Sequence, residues 1–273
     1  MSRIPVFVVS LQRAAERRKR MLDHLSMLGV SARLIDAVDG KLLPEEDRRS
    51  LVAPGVEIHA GAIGCYLSHL IIYRAMVEEG IPVALVLEDD ARLNGAFKRI
   101  LDAGVQSDEF DYCFLDSDDH NDRCSVFYDR DDSVPIATGV RAHLLSAGPQ
   151  TTHAYMITLE AARKRLEAAF PISKAIDLYD HLPYAIRFRA IVAPKMAWVS
   201  ADSLESFTSE RSLASDALSL VWLRRSLLFY RVRDILKFKL LKRAREARSL
   251  VDSGLLARGR RWRALPSGRE VVL

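Results

Sequence analysis

Residues Val83-Ala84-Leu85-Val86-Leu87-Glu88-Asp89-Asp90 run five apolar side chains straight into three carboxylates. A short continuous apolar run bounded by polar residues predicts a strand buried on both faces, as in a parallel sheet. Ile81-Pro82 just before it suits entry from a loop into an extended segment. The acids then stand at the C-terminal end of the strand, the edge of an open α/β sheet where ligands bind. Adjacent carboxylates repel one another, so a cationic group is expected among them. Hard oxygen ligands suit Mg²⁺ or Mn²⁺, and such an ion carrying a diphosphate would satisfy the cluster. For an acidic triplet taken alone, a solubilising loop is the plain alternative.

What precedes this strand has the same logic. Ile4 to Leu11 is apolar almost throughout and reads as a first central strand. Met21, Leu22, Leu25 and Leu28 follow at helical spacing, with Gly29 as a stop. Residues 32–37 read as a second strand, closed by Val38-Asp39-Gly40. Together they make a strand–helix–strand unit of the length a right-handed crossover needs. Arg13 and Arg17 fall where the first strand meets the helix, beside the ligand edge. Most of that arginine cluster reads as a solvated helix face; Arg17 is the one placed for a phosphate. A short helix over 44–51 and a loop over 55–61 lead to Gly61-Ala62-Ile63-Gly64-Cys65-Tyr66-Leu67-Ser68-His69-Leu70, which opens a helix running to Glu79. Its small residues allow close backbone approach to a ligand or the sheet. His69 in mid-helix suits either a ligand contact or a structural hydrogen bond.

Beyond the triplet, a helix is expected over 94–102, and Phe110 to Leu115 reads as another strand ending in acids, Asp116, Asp118 and Asp119. Two neighbouring parallel strands would aim both acid sets at one cleft, one for a metal and the other for a general base. Residues 121–141 are polar and irregular, and variable strands and loops are expected there. A strand over 151–158, containing His153, is followed by a helix over 159–169 that Pro171 ends. Asp177, Asp180 and His181 fall at an expected helix start, and residues 191–199 read as a late strand.

Charge divides the chain. The first 210 residues carry 24 Lys+Arg against 31 Asp+Glu, whereas residues 211–273 carry 16 against 5. This supports a boundary between an α/β domain over 1–210 and a basic extension over 211–273. From Ala214 to Leu250, leucines and aromatics at helical spacing interleave with Arg224, Arg225, Arg231, Arg233, Lys237 and others. Such a basic amphipathic helix suits an anionic membrane surface. A helix packed on the body with a solvated basic face is the alternative, and nucleic acid is not expected because no recognition motif accompanies the charge. Cys65, Cys113 and Cys124 lack the spacing of a zinc site or a disulfide framework; the first two read as buried thiols. The N-terminal apolar run is too short for a signal peptide or a span, so a cytoplasmic protein, peripheral on the inner face of the cell membrane, is the expectation.

Taken together these segments resemble one family. Ile4 to Leu11 with Arg13 and Arg17, Asp36-Ala37-Val38-Asp39-Gly40, the Gly61 to Leu70 helix, Leu87-Glu88-Asp89-Asp90, Ala154-Tyr155-Met156-Ile157 and Ile176-Asp177 look like the successive elements of glycosyltransferase family 25. This is the lipopolysaccharide-biosynthesis type, related to collagen galactosyltransferases. The resemblance covers residues 4–206. It implies a glycosyltransferase A-type nucleotide-sugar-binding fold. It also implies a metal-dependent, inverting transfer of a sugar, often galactose, from a UDP-sugar to a lipopolysaccharide or other glycan acceptor. Carried over by position, Asp90 would be the direct ligand of Mn²⁺ or Mg²⁺, with Glu88 supporting it or contacting the ribose. Arg13, Arg17 and Asp39 would hold the nucleotide, with Ser68 and His69 beside them. Asp89 joins the nucleotide contacts, although alternate residues on an extended segment point oppositely. The base for the acceptor hydroxyl is left among Asp177, Asp116 and Asp180, with His153 and His181 as alternatives or further metal ligands. From another class, a non-catalytic protein with this fold that binds a membrane or protein partner through its basic helix is the alternative. A nucleotidyltransferase is disfavoured because no Gly- and Lys-rich phosphate loop follows the first strand.

Overall fold

A computed structural model describes residues 4–105, 108–116 and 126–199, together with the backbone of 262–264. These belong to one compact unit drawn from residues 1–208 and 261–273. The helix expected over 214–250 lies outside the described residues, as do Asp118, Asp119 and Cys124. Within the segment 211–273, read from sequence as a helical extension, the three described residues form a strand.

The first crossover forms as the sequence predicts. Strand β1 (Val6–Ser10), helix α1 (Ala15–Met27) and strand β2 (Arg33–Asp36) place β2 parallel to β1, and Gly29 follows the helix with φ of 66°. After helix α2 (Glu45–Leu51), helix α3 (Ala60–Glu79) begins at His59, whose Nδ1 accepts the Ala62 N–H at 3.1 Å. That side-chain cap satisfies one of the donors that a helix start leaves unpaired. Helix α3 is 20 residues long with mean hydropathy 1.3, enough by composition to cross a membrane, but most of it is buried inside this fold. Strand β3 (Val83–Glu88) then pairs parallel with β1 and carries the acids at its end.

The remaining elements are strand β4 (Ala91–Leu93), helix α4 (Lys98–Ala103), strands β5 (Tyr112–Phe114), β6 (Phe127–Ala137), β7 (Val140–Leu145) and β8 (Ala154–Thr158), helix α5 (Leu159–Glu167), and strands β9 (Phe188–Ala190), β10 (Ala197–Val199) and β11 (Trp262–Ala264). The main sheet runs β11-β6-β7-β9-β5-β8-β3-β1-β2, and β4 pairs with β10 in a small second sheet. Three expectations are corrected. Strand β5 is not a neighbour of β3, because β8 lies between them, antiparallel to both. Residues 176–182 form turns instead of a helix start, and of the late strand expected over 191–199 only β10 forms: β9 ends at Ala190, and the stretch between them contains Pro194, which cannot donate to a ladder. The segment over 121–141, where variable strands and loops are expected, does contain strand: it supplies β6 and the start of the β6–β7 hairpin, whose register shifts break the regular period-two pattern.

Alternation along the strands sorts the core onto two faces. Val6, Val8, Leu85 and Leu87 pack with Met21 and Leu25 of α1 and Ile100 of α4. Phe7, Val9, Ala84 and Val86 pack with Tyr66, Tyr73 and Met76 of α3. The same alternation continues into the acids and decides which wall of the site each one meets.

Candidate active site

The pocket at the C-terminal ends of β1 and β3 is lined from the β1–α1 turn, the Val38–Gly40 loop, α3 and the acidic triplet. The loop is seated directly on the helix. A Cβ at Gly40 would come within 1.8 Å of the Ala60 carbonyl oxygen, and one at Gly64 within 2.4 Å of the Val38 oxygen. Only glycine fits at either side of this contact. One turn on, the Ser68 hydroxyl donates to the Gly64 carbonyl at 2.6 Å and accepts the Val38 N–H at 2.9 Å. This fixes Asp39, whose carboxylate takes the Arg13 guanidinium and is held by it below the ordinary carboxylate range. Ser68, named from sequence as a ligand contact, is fully buried with its hydroxyl engaged in holding the loop.

The three acids diverge as the pleat requires. Asp89 turns toward α1, accepts the Ser10 hydroxyl at 2.6 Å and pairs with Arg17. Arg17 also reaches Asp90 at 3.1 Å. Glu88 turns toward α3 and lies 3.5 Å from His69 Nε2, while Thr152 donates to it from the start of β8. Burial pushes the Glu88 carboxyl up, but His69, Thr152 and His153 outweigh it and hold the group at about 2. Asp90 goes the other way, raised to about 6 by burial and then by Glu88, against the opposing pull of Arg17. Two carboxylates two residues apart are thus driven in opposite directions, a pattern concentrated at functional sites.

Because β8 runs antiparallel, its beginning arrives at this same edge, between the ends of β3 and β5. The His153 carbonyl accepts the Glu88 N–H at 2.9 Å, and His153 Nε2 lies 2.7 Å from Asp116, which follows β5. The hydroxyl of Thr151 meets the other ring nitrogen. Asp116 and His153 are therefore brought to the site edge, but both are buried and engaged with one another. Asp177 is partly exposed and does not itself line the pocket; its carboxyl is raised by burial and then by Glu88, with His69 acting against it. Asp180 is exposed and paired with Lys174 at 2.6 Å, so the structure does not bring it into the pocket wall. His181 is also absent from that wall.

Four contributors were missed from sequence. Cys65, read as a buried thiol, is half-buried and lines the pocket; its i, i+4 spacing from His69 was the available signal. Ser10 and Thr152 bond the acids from strand ends whose hydroxyls carried no distinguishing pattern. Tyr155 donates or accepts at His69 Nδ1 (2.7 Å) and meets the Tyr73 hydroxyl at 2.8 Å, orienting the ring from behind.

Two features of the site bear on a divalent cation. Asp90 Oδ1 is buried and has no hydrogen-bond partner among the described residues. An orphaned carboxylate oxygen beside further acids is the kind of group a hard cation satisfies. Separately, ligand atoms of Cys65, His69 and Glu88 lie within 4.8 Å of one another, a cluster able to coordinate a divalent metal.

The profile of Glycosyltransferase family 25 (LPS biosynthesis protein) matches residues 3–179. A Bos taurus protein named probable inactive glycosyltransferase 25 family member 3 is 32% identical over 194 residues, covering 65% of this chain and 31% of its own. Procollagen galactosyltransferase 1-B of Xenopus laevis is 32% identical over 198 residues, covering 67% and 31%. The chain thus spans about a third of the length of the curated relatives it matches. A solved glycosyltransferase involved in glycosylation of the PBCV-1 major capsid aligns over 68% of this chain and 80% of its own at 13% identity and a TM-score of 0.33, a likeness too slight to bear on the site. The mixed sheet flanked by helices is a glycosyltransferase A-like fold. By a match that runs from the first strand through the acidic triplet to Tyr179, the chain belongs to glycosyltransferase family 25.

Proposed function

We propose that this chain is a metal-dependent glycosyltransferase that moves a hexose, galactose in the first instance, from a UDP-sugar to a glycan acceptor. The observation that carries this reading is the buried, unpartnered Asp90 oxygen in a pocket that also presents Arg13, Arg17 and Asp39. Asp90, with Glu88 beside it, would hold Mn²⁺ or Mg²⁺, which when bound neutralises charge developing on a departing diphosphate. Arg17 brings fixed positive charge to the same wall, and the seated Val38–Gly40 loop orients Asp39 toward the nucleotide. Of the three carboxylates considered as the base, Asp177 suits the role best. It is partly open to solvent, whereas Asp116 is engaged by His153 and Asp180 by Lys174. Its raised pKa makes it a stronger proton acceptor for the incoming hydroxyl.

A second reading, binding of a nucleotide sugar without transfer, is favoured by Arg17, which neutralises Asp89 and Asp90 from within the chain. Several relatives named as inactive point the same way. Two measurements separate the readings: UDP affinity by calorimetry, and UDP release from UDP-galactose or UDP-glucose with Mn²⁺. Release that Asp177→Asn and Asp90→Asn abolish supports transfer. Tight UDP binding with no release from either donor, with or without glycan acceptors, would replace it with the second reading.

We infer further that the acceptor is reached at an anionic membrane surface on the cytoplasmic side, through the basic segment over 214–250. Reversing Arg224, Arg225, Arg231 and Arg233 to Glu in the full chain should then abolish retention on phosphatidylglycerol vesicles. Retention equal to the parent's would sink that inference.

A further inference from the structure

We infer that Cys65, His69 and Glu88 form a second cation site, selective for a thiophilic divalent ion of the Zn²⁺ class and inhibitory when filled. The three ligand atoms lie within 4.8 Å of one another, and all three residues line the pocket, so an ion has a path to them. Cys65 and His69 stand one helical turn apart on one face of α3, and Glu88 faces them from the end of β3. His69 is 0% exposed, and the one group its Nε2 faces is Glu88, at 3.5 Å a long contact for a hydrogen bond. The gap between this buried ring nitrogen and the carboxylate is wide enough for an ion bonded to both to shorten the contact to each.

The support behind the imidazole is also that of a metal ligand. Its Nδ1 is fixed by the Tyr155 hydroxyl at 2.7 Å, which the Tyr73 hydroxyl meets in turn at 2.8 Å. Metal-binding histidines characteristically have the second nitrogen held in this way, setting the tautomer and ring direction. A thiolate–imidazole–carboxylate set suits zinc and is poorly matched to Mg²⁺ or Mn²⁺, which prefer oxygen throughout. Three protein ligands leave a fourth position facing the pocket. Glu88 is shared with the acidic triplet, so an ion held here withdraws it from the donor-binding wall. That inhibitory half rests on the donor site proposed above; the cation site itself does not.

Cobalt serves as the spectroscopic stand-in for zinc. Titrating Co²⁺ into the full chain should produce thiolate-to-cobalt charge-transfer absorption that saturates at one equivalent and is erased by Zn²⁺ but not by excess Mn²⁺. Cys65→Ser should remove the band and weaken Zn²⁺ binding by at least about tenfold, the loss that even an outer partner of a metal ligand produces. Cys124→Ser should leave both unchanged. Protection of Cys65 from alkylation by Zn²⁺ tests the parent chain without relying on a variant's folding. No thiolate band, a band that survives Cys65→Ser, or displacement by Mn²⁺ would each overturn the site. Zinc that binds by these criteria yet leaves UDP affinity unchanged would overturn its inhibitory role.

Discussion

Gly64→Ala adds one methyl group at the most crowded point of the pocket wall, and two effects of opposite sign compete there. Alanine in a helix interior is favoured over glycine by about 1 kcal/mol. Against this, the new Cβ would sit 2.4 Å from the Val38 oxygen and 2.6 Å from the Gly40 nitrogen. Both are backbone atoms, so no flexible side chain can swing aside. Restoring ordinary contact requires the loop to retreat by about an ångström, and overpacking of this kind costs about 1–3 kcal/mol. The same retreat stretches the Val38 N–H bond to Ser68 Oγ, now 2.9 Å, beyond hydrogen-bonding range; losing it costs about 1 kcal/mol more. The contact terms win, leaving a net destabilisation of about 1–3 kcal/mol. Because the retreat carries Asp39 away from Arg13, UDP affinity should fall alongside the urea midpoint. A variant about 1 kcal/mol more stable than the parent, with UDP affinity intact, would refute the reasoning, since it would mean that helix propensity alone governs this position.

The two outer acids should respond oppositely to neutralisation. A carboxyl raised to about 6 contributes stability that is present below about pH 4 and lost as pH rises through 6. Asp90→Asn should therefore stabilise the fold at pH 8 by up to about 3 kcal/mol, with the gain vanishing by pH 4, while Mn²⁺ binding disappears; urea titrations across pH check the slope, and destabilisation at pH 8 would contradict it. Glu88, held at about 2, contributes stability that is present above its unfolded value and lost as pH falls toward 2. Glu88→Gln should accordingly destabilise at neutral pH by a few kcal/mol, measured in the same titrations. Tyr155→Phe removes one hydroxyl that serves both His69 and Tyr73, and should cost about 1–3 kcal/mol by leaving buried polar groups unpaired, read from thermal melting.

The β3 edge could be read from sequence because its signal is local: an apolar run, then acids, in one stretch of eight residues. The Gly64-Cys65-Ser68-His69 helix was likewise visible as a pattern. Its physical reason was not, because Gly64 is required by Gly40 and Ser68 by Val38, contacts made across the intervening chain. The placement of β8 was beyond reach for a different cause. All five residues of Ala154–Thr158 are buried, and a strand buried on both faces carries no mark of its direction or neighbours. That single insertion is what brings Thr152 and His153 to Glu88. The equal standing of Asp116, Asp177 and Asp180 in the sequence dissolved for the same reason: exposure and partnering with His153 or Lys174 are tertiary properties. The segment of β6 and β7 was legible only as variable strands and loops, because its charges, Asp129-Arg130-Asp131-Asp132, mask the alternation, although Asp129 is buried.

Strand β11 pairs antiparallel with β6, and β10 pairs with β4. The described chain on either side of residues 200–261 is therefore held in sheet, by β10 before them and by β11 after them. Shortening the chain after Ser212 does something different from removing a basic segment. It also strips a strand from the sheet margin and exposes the 11-residue β6 to pairing with another molecule. Loss of vesicle binding, or its gain through aggregation, in such a truncation would report on that bare margin and not on the arginines.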